Sequence, residues 1–517
     1  MKILHAVHGF LPEHDGGTER YVDAVARHQV EGGDEVVLAV GSYSDRYDGF
    51  VETKSPVASV AAAAPAAPPA LRIYRISQLG SYAERWDHGD QPEIEVAFAR
   101  LVHDFAPDVV HVHHWLRLSR GIVRAARSCG VPVVWTAHDL TVTCPRLFRV
   151  REDDPFCQRP LAVSSCLHCV SREAWQDDSV VARNLEAYAV DMLAETRACT
   201  RVIAPSRAHA SVVARFSNLP QDVVRVVPHP RTCELTPRRA APEAKGTRPS
   251  LHVAHWGHLI DYKGPHVLLD AMEGLARACP DARLRLSLWG RVDDEAYRER
   301  LERLLASLCS AGVAVERRAT FTHGELGELD ADVAVFPSLA HESWSFVVDE
   351  ALALAMPVLV SERGAPPERV GDAGRSFAPG DARALEACLR DLLQDPTQLT
   401  AMQTACATAG TSLAAHAQAL EAIYEEAIAE APSALPCDFA SKVAAARIRR
   451  SFEDRARWLD ALRRSAEAEV LATRKDAELS FSQASQVAAQ NAAHQADIAR
   501  LVEALAKRDG PGSDRPA

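Results

Sequence analysis

Apolar residues in this chain fall into short runs that are apolar throughout, separated by longer stretches in which apolar positions recur every three to four residues. Runs at 3–7, 35–40, 71–76, 109–113, 131–136, 201–204 and 224–227 read as strands buried on both faces, and the stretches between them read as helices. That alternation predicts a parallel sheet covered by helices on each side. A Pro- and charge-rich segment at 236–250 then reads as a linker. The alternation restarts with runs at 251–256, 284–289, 333–336 and 357–360, predicting a second domain of the same kind over 251–431. The fold class is α/β: two Rossmann-like, doubly wound domains (1–235 and 251–431) facing each other across a cleft.

A helical pattern through Leu413, Ala417, Leu420, Ile423 and Tyr424 is expected to close the second domain. Beyond it, residues 440–508 contain neither Pro nor Gly. Apolar positions there recur at three to four residues through Ala484, Val487, Ile498, Leu501 and Leu505, interrupted by Asn491 and His494. This predicts a helical extension that either lies as a solvated helix on its own protein or joins subunits as a coiled coil. The residues from Asp509 read as disordered.

The most informative stretch follows the run at 333–336. His341-Glu342-Ser343-Trp344-Ser345-Phe346-Val347-Val348-Asp349-Glu350 reads as a tight polar loop leading into a helix. Glu342 falls in the loop and Glu350 inside the helix. Both carboxylates can therefore face the crevice at the strand's carboxyl end, and the N–H groups near Ser345 and Phe346 can attract an anion such as a diphosphate.

Composition narrows the setting. The chain has 517 residues, 47% hydrophobic and 25% charged, with a formal charge of −12, which gives no global reason to expect a nucleic-acid partner. No run approaches the roughly 18 apolar residues of a membrane span, and the Ala-rich segment 57–70 is broken by Pro65, Pro68 and Pro69. The amino terminus is too short in apolar residues for a signal peptide. A soluble cytoplasmic protein is expected, with peripheral contact at the inner face of a membrane compatible with the sequence. Most of the 12 cysteines are scattered singly, which suits a reducing compartment.

Several motifs carry candidate chemistry. Gly16-Gly17 follows the first strand and opens a helix, a turn that lets backbone approach a phosphate. There is no Gly-x-Gly-x-x-Gly and no Walker loop, which argues against a dehydrogenase or a P-loop ATPase. His111, His113 and His114 end a strand on alternating faces, so adjacent members are not expected to converge on a metal. His138 ends another strand, beside the cleft, where it can hydrogen-bond a sugar hydroxyl or accept a proton. Cys144, Cys157, Cys166 and Cys169 lie in a loop rich in Pro, Arg and Asp with little apolar core, and a structural zinc held by four thiolates would organise it; unrelated thiols and a redox pair are the alternatives. Lys263, just past the strand at 251–256, supplies a cation for a departing diphosphate. Asp330 and Asp332 precede a buried strand at its amino end and read as its solvated start.

Taken together these residues resemble the retaining glycosyltransferases of family 4, which have the two-Rossmann GT-B architecture. The resemblance runs from the first residue to about residue 431. Its most specific part is the Glu-x7-Glu signature from Glu342 to Glu350, supported by Gly16-Gly17, Thr136-Ala137-His138-Asp139, Val226-Val227-Pro228, Lys263-Gly264 and Pro357-Val358. It implies a nucleotide-diphosphate sugar as donor, bound mainly by the second domain, and transfer with retained anomeric configuration to a hydroxyl of a glycan or lipid-linked acceptor held by the first. On the same ground Glu350 would bind the ribose hydroxyls, Glu342 and His138 would lie against the donor sugar, and Lys263 would neutralise the diphosphate with help from Gly17, Ser345 and Phe346. No catalytic metal is expected. His258 stands where the family usually has arginine, and Arg291 at the next strand end is a candidate substitute. The rival readings are an epimerase or phosphorylase on the same plan, and a sugar-nucleotide-binding scaffold or sensor without transfer activity.

Overall fold

The computed structural model describes residues 1–43, 49–54, 71–77, 85–151, 154–220, 222–232, 235, 248–430 and 432–508. The Ala-rich segment 57–70, most of the expected linker and the tail from Asp509 lie outside the described residues. The chain divides into two compact units, one comprising residues 1–172 and 178–446 and the other residues 173–177 with 447–517.

The first unit holds two sheets. One contains β1 (Lys2–Val7), β2 (Glu35–Ser42), β3 (Val51–Lys54), β4 (Arg72–Ser77), β5 (Val109–Val112), β6 (Val133–Thr136), β7 (Arg201–Ala204) and β8 (Val224–Val226). Their order is β3-β4-β2-β1-β5-β6-β7-β8, parallel except for β3. The other contains β9 (Ser250–Trp256), β10 (Arg283–Trp289), β11 (Ala314–Arg318), β12 (Val333–Phe336), β13 (Val358–Ser361) and β14 (Gly374–Phe377), in the order β11-β10-β9-β12-β13-β14 and parallel throughout. The central strands are fully buried because Val, Ile, Leu and Ala fill both faces, and helices cover each face with their own apolar stripes.

Strand order reverses between β1 and β5 in the first sheet and between β9 and β12 in the second. A crevice opens at the carboxyl ends of such strand pairs, because successive crossovers leave in opposite directions. Gly16-Gly17 and His113 follow β1 and β5; Lys263 and Glu342 follow β9 and β12.

One helix departs from the expectation. Leu413–Ala429 does not close the second domain but covers the first sheet, packing on the helix Gly17–Glu31. Its buried stripe of His416, Leu420, Ile423, Tyr424 and Ala427 joins the core formed by Ile3, Tyr21, Val25 and Leu38. Polar contacts fix the docking: Tyr424 Oη lies 2.7 Å from His111 Nδ1, and Tyr21 Oη lies 2.9 Å from His416 Nε2. An amphipathic pattern shows that a helix has an apolar face but not which sheet receives it.

In the second unit, Arg457 donates to Glu173 at 2.8 Å and lies 5.7 Å from the Trp175 ring. The helix Phe439–Arg508 exposes Phe452, Trp458, Leu471, Phe481, Val487, Ile498 and Leu501. Residues 461–504 of this helix are exposed throughout. Among the described residues no helix is long and apolar enough to cross a membrane.

Candidate functional site

The second sheet supplies a carboxylate and a cation in direct contact. Gly264 takes a left-handed conformation (φ +71°) beneath the loop after β12, where a Cβ would lie 2.2 Å from the Pro337 carbonyl oxygen. Only glycine permits that approach, and it sets the preceding Lys263 against the following strand end. Lys263 Nζ donates to Glu342 Oε1 at 2.6 Å, and Ser338 Oγ donates to the same oxygen at 2.7 Å. Burial alone would raise the Glu342 carboxyl, but the Lys263 charge and hydrogen bond outweigh it and hold the group below its usual range. It is an ionised carboxylate at neutral pH.

Glu350 behaves oppositely. Burial pushes its carboxyl up to about 7, against the Trp256 hydrogen bond and the nearby Arg20 charge. Trp256 Nε1 donates to Glu350 Oε2 at 2.6 Å, which aims the carboxylate, and His323 stands 3.6 Å from Oε1.

The loop between these glutamates is clamped by Trp344 and Asp349 from the motif itself and by Arg369 from outside it. Arg369 donates to the carbonyls of Trp344 (2.7 Å) and Ser345 (2.8 Å), stacks over the Trp344 ring and pairs with Asp349. Trp344 Nε1 donates to Asp349 Oδ2 at 2.7 Å. The clamp holds Ser345 in a left-handed conformation (φ +73°) at the start of the helix Phe346–Ala353, where no side chain caps the first N–H groups. A helix start of this kind can receive an anion.

The first sheet's crevice meets this loop. Gly17 approaches Phe346 so closely that a Cβ would fall 2.4 Å from the ring, and Ser343 Oγ donates to the His138 carbonyl oxygen at 2.5 Å. Burial takes His138 down to about 3, so at neutral pH its ring is neutral. A hydrogen-bonded chain that no motif signalled runs inward from it: His138 Nε2 is 3.1 Å from His113 Nδ1, His113 Nε2 is 3.0 Å from His5 Nδ1, and His5 Nε2 is 2.8 Å from Gln29 Oε1.

His258 and Arg291 both contact Asp293, at 2.9 Å and 3.3 Å, a partner not foreseen from the sequence. Burial lowers the His258 ring below its ordinary value, with Asp293 opposing. Gly16, Gly17, His138, Lys263, Glu342, Ser345, Phe346 and Glu350 share the crevice region. His258 and Arg291 sit at the ends of β9 and β10, bound to one another's neighbour Asp293.

Two expectations about metals are refined. His111 and His113, two residues apart and so on one face of the strand, meet His5 there, with one ligand atom from each within 4.8 Å. Yet both nitrogens of each ring already face a protein partner, His111 through Tyr424 and Thr136 at 2.7 Å each. Cys144, Cys157, Cys166 and Cys169 form no group of three ligand atoms within 4.8 Å; among the described residues only the His5 group and His8, His14 and Glu19 do. Burial pushes the Cys144 thiol up to about 11. What organises this loop is Arg149, which is buried, stacks 3.5 Å over the Phe216 ring and donates to the carbonyls of Thr143, Cys157 and Arg159.

Two tandem Rossmann-like domains with a crevice lined in this way define the GT-B class. Residues 15–234 match the model of Glycosyltransferase Family 4, and residues 250–395 match that of Glycosyl transferases group 1. The two models together support a glycosyltransferase of the family 4, GT-B kind. A similar curated protein is the D-inositol 3-phosphate glycosyltransferase of Corynebacterium aurimucosum, 27% identical over 334 residues, which are 62% of this chain and 72% of the relative. Among solved structures, the sucrose-phosphate synthase of Thermosynechococcus elongatus is similar at a TM-score of 0.55 and 19% identity, over 83% of this chain and all of that one. Anabaena HepE, in complex with UDP, is similar at a TM-score of 0.51 and 14% identity, over 82% of this chain and all of that one. These structural likenesses show the fold.

Proposed function

We propose that the protein transfers a hexose from a nucleotide-diphosphate sugar to a hydroxyl of a glycan or lipid-linked acceptor, with retention at the anomeric carbon. The observation that carries this reading is the Lys263–Glu342 pair at the strand-order reversal of the second sheet, one loop away from the uncapped helix start and from Glu350. The nucleoside diphosphates named with similar structures, UDP with HepE, support the donor class.

In this reading Glu350 accepts hydrogen bonds from the ribose hydroxyls, and the N–H groups near Ser345 and Phe346, with Gly17, hold the diphosphate. Gly16 shapes that turn, and His258 and Arg291 add charge at its edge. Lys263 stabilises the phosphate oxygen that departs when the bond between it and the anomeric carbon breaks. The acceptor oxygen enters on the same face and passes its proton to that phosphate. His138 is too weak a base to take it and instead hydrogen-bonds the sugar. Incubation with UDP-, GDP- and ADP-hexoses should release nucleoside diphosphate slowly without acceptor and faster with one. Donor binding with no release under any acceptor would instead favour the scaffold or sensor reading.

The raised Glu350 carboxyl makes donor binding depend on pH. The folded state holds this proton between the unfolded value of 4.5 and about 7, so its contribution to stability is lost as pH rises through that window. Nucleotide binding that needs the carboxylate should tighten about tenfold between pH 6 and 8. Calorimetric titration of wild type and Glu350→Gln checks it: an equal pH dependence in both would remove Glu350 from the ribose site.

Zinc held by Cys144, Cys157, Cys166 and Cys169 is supported by the donor set alone. Elemental analysis should find one zinc that Cys166→Ser loses; its absence from wild type would leave Arg149 as the loop's sole organiser. The exposed apolar positions of the helical extension support self-association, and light scattering of the full chain is the check.

A further inference from the structure

A second ligand cluster lies at the carboxyl end of β1. His8 follows that strand directly, His14 stands in the loop beyond it, and Glu19 is in the first turn of the helix Gly17–Glu31. Glu19 is 1% exposed, and its Oε2 accepts from the Gly16 backbone N–H at 3.0 Å, which fixes the carboxylate. Oε1 then points at two imidazoles: His8 Nε2 and His14 Nδ1 each stand 3.0 Å from it. Neither approach makes a hydrogen bond, for Oε1 and His14 Nδ1 are both buried without a partner among the described residues. An unsatisfied buried carboxylate oxygen is costly, and two off-line nitrogens do not relieve it.

We propose that His8, His14 and Glu19 bind a divalent transition-metal cation. With metal–nitrogen bonds of about 2.0–2.1 Å and metal–oxygen bonds of about 2.0–2.2 Å, neighbouring ligand atoms stand roughly 3 Å apart, matching both nitrogen–oxygen distances here. The His5, His111 and His113 group differs because its ring nitrogens are already engaged. Arg117 opposes a cation and the Glu19 carboxylate offsets it; the Arg117 guanidinium donates to the His8 carbonyl at 2.9 Å. Two imidazoles and one carboxylate favour zinc, cobalt or nickel over magnesium or calcium. Three protein ligands leave a position open on the side of His14, whose side chain is 34% exposed. Through the Glu19–Gly16 contact, an ion here would stiffen the Gly16-Gly17 turn.

Metal binding is read directly, so this inference does not depend on the transfer reading. Full-length protein stripped with chelator is titrated with Co²⁺, with folding of each variant checked by circular dichroism. In a Cys166→Ser background, which disables the four-cysteine loop as a competing site, one Co²⁺ per chain is expected, with weak visible bands and no sulfur charge-transfer absorption. His14→Ala and Glu19→Gln should weaken it roughly tenfold or more, at least the loss typical of outer-shell partners. The glutamine still offers an acceptor to the Gly16 N–H. In that background, Co²⁺ affinity left equal by a folded His14→Ala change would overturn the site, as would no Co²⁺ binding by Cys166→Ser.

Discussion

Replacing Lys263 by alanine is expected to lower kcat by about 10²–10³ while leaving donor affinity less affected, the size of effect found when one preorganised donor to a developing negative charge is removed. Lys263 is the cation in contact with Glu342, at 2.6 Å, and in the proposed reaction negative charge develops on the departing phosphate as its bond to the anomeric carbon breaks. The variant also leaves the Glu342 carboxylate, whose side chain is 11% exposed, without its counter-ion. Adding Glu342→Gln removes that orphaned charge, so the double variant should regain stability without regaining turnover. Stopped assays of nucleoside diphosphate release, paired with thermal denaturation of both variants, separate the two effects. Recovery of turnover in the double variant would show that Lys263 serves only to hold Glu342.

The second large effect is expected at the clamp. Asp349 and Arg369 have side chains 3% and 6% exposed, and removing either partner leaves a buried charge uncompensated. Arg369→Ala should therefore destabilise the fold by about 3–5 kcal/mol. At roughly 2–4 °C per kcal/mol for a domain of about 200 residues, Tm falls on the order of 10 °C. The double change Asp349→Leu with Arg369→Met removes both charges and should cost far less stability, yet it frees the carbonyls of Trp344 and Ser345 and should still weaken nucleotide binding. Calorimetry with and without nucleoside diphosphate checks both; a single variant as stable as wild type would show that Trp344 alone holds the loop.

The central strands were legible because burial on both faces writes itself as an unbroken apolar run. β3, β11 and β14 were not, and each is an edge strand. Val51-Glu52-Thr53-Lys54, Ala314-Val315-Glu316-Arg317-Arg318 and Gly374-Arg375-Ser376-Phe377 keep polar side chains because one side faces outward. The contact of Lys263 with Glu342 was within reach, since both follow strands on either side of the order reversal. The chain from His138 to Gln29 was not. It depends on four residues from different elements whose rings meet only after the sheet and the helix Gly17–Glu31 pack. The Asp349–Arg369 pair was hidden for a similar reason, because Arg369 follows β13 and nothing in the Glu342–Glu350 spacing points to it.

The helix Leu413–Ala429 belongs in sequence after the second sheet but lies on the first, so the polypeptide must pass between the two halves twice. The outgoing and returning passages touch: Pro230 and Thr411 form a β-bridge, and Arg231 N–H donates to the Thr411 carbonyl at 3.0 Å. Two adjacent tethers make a door hinge where one would make a swivel. Sliding of one half across the other at these residues would have to break that bridge first.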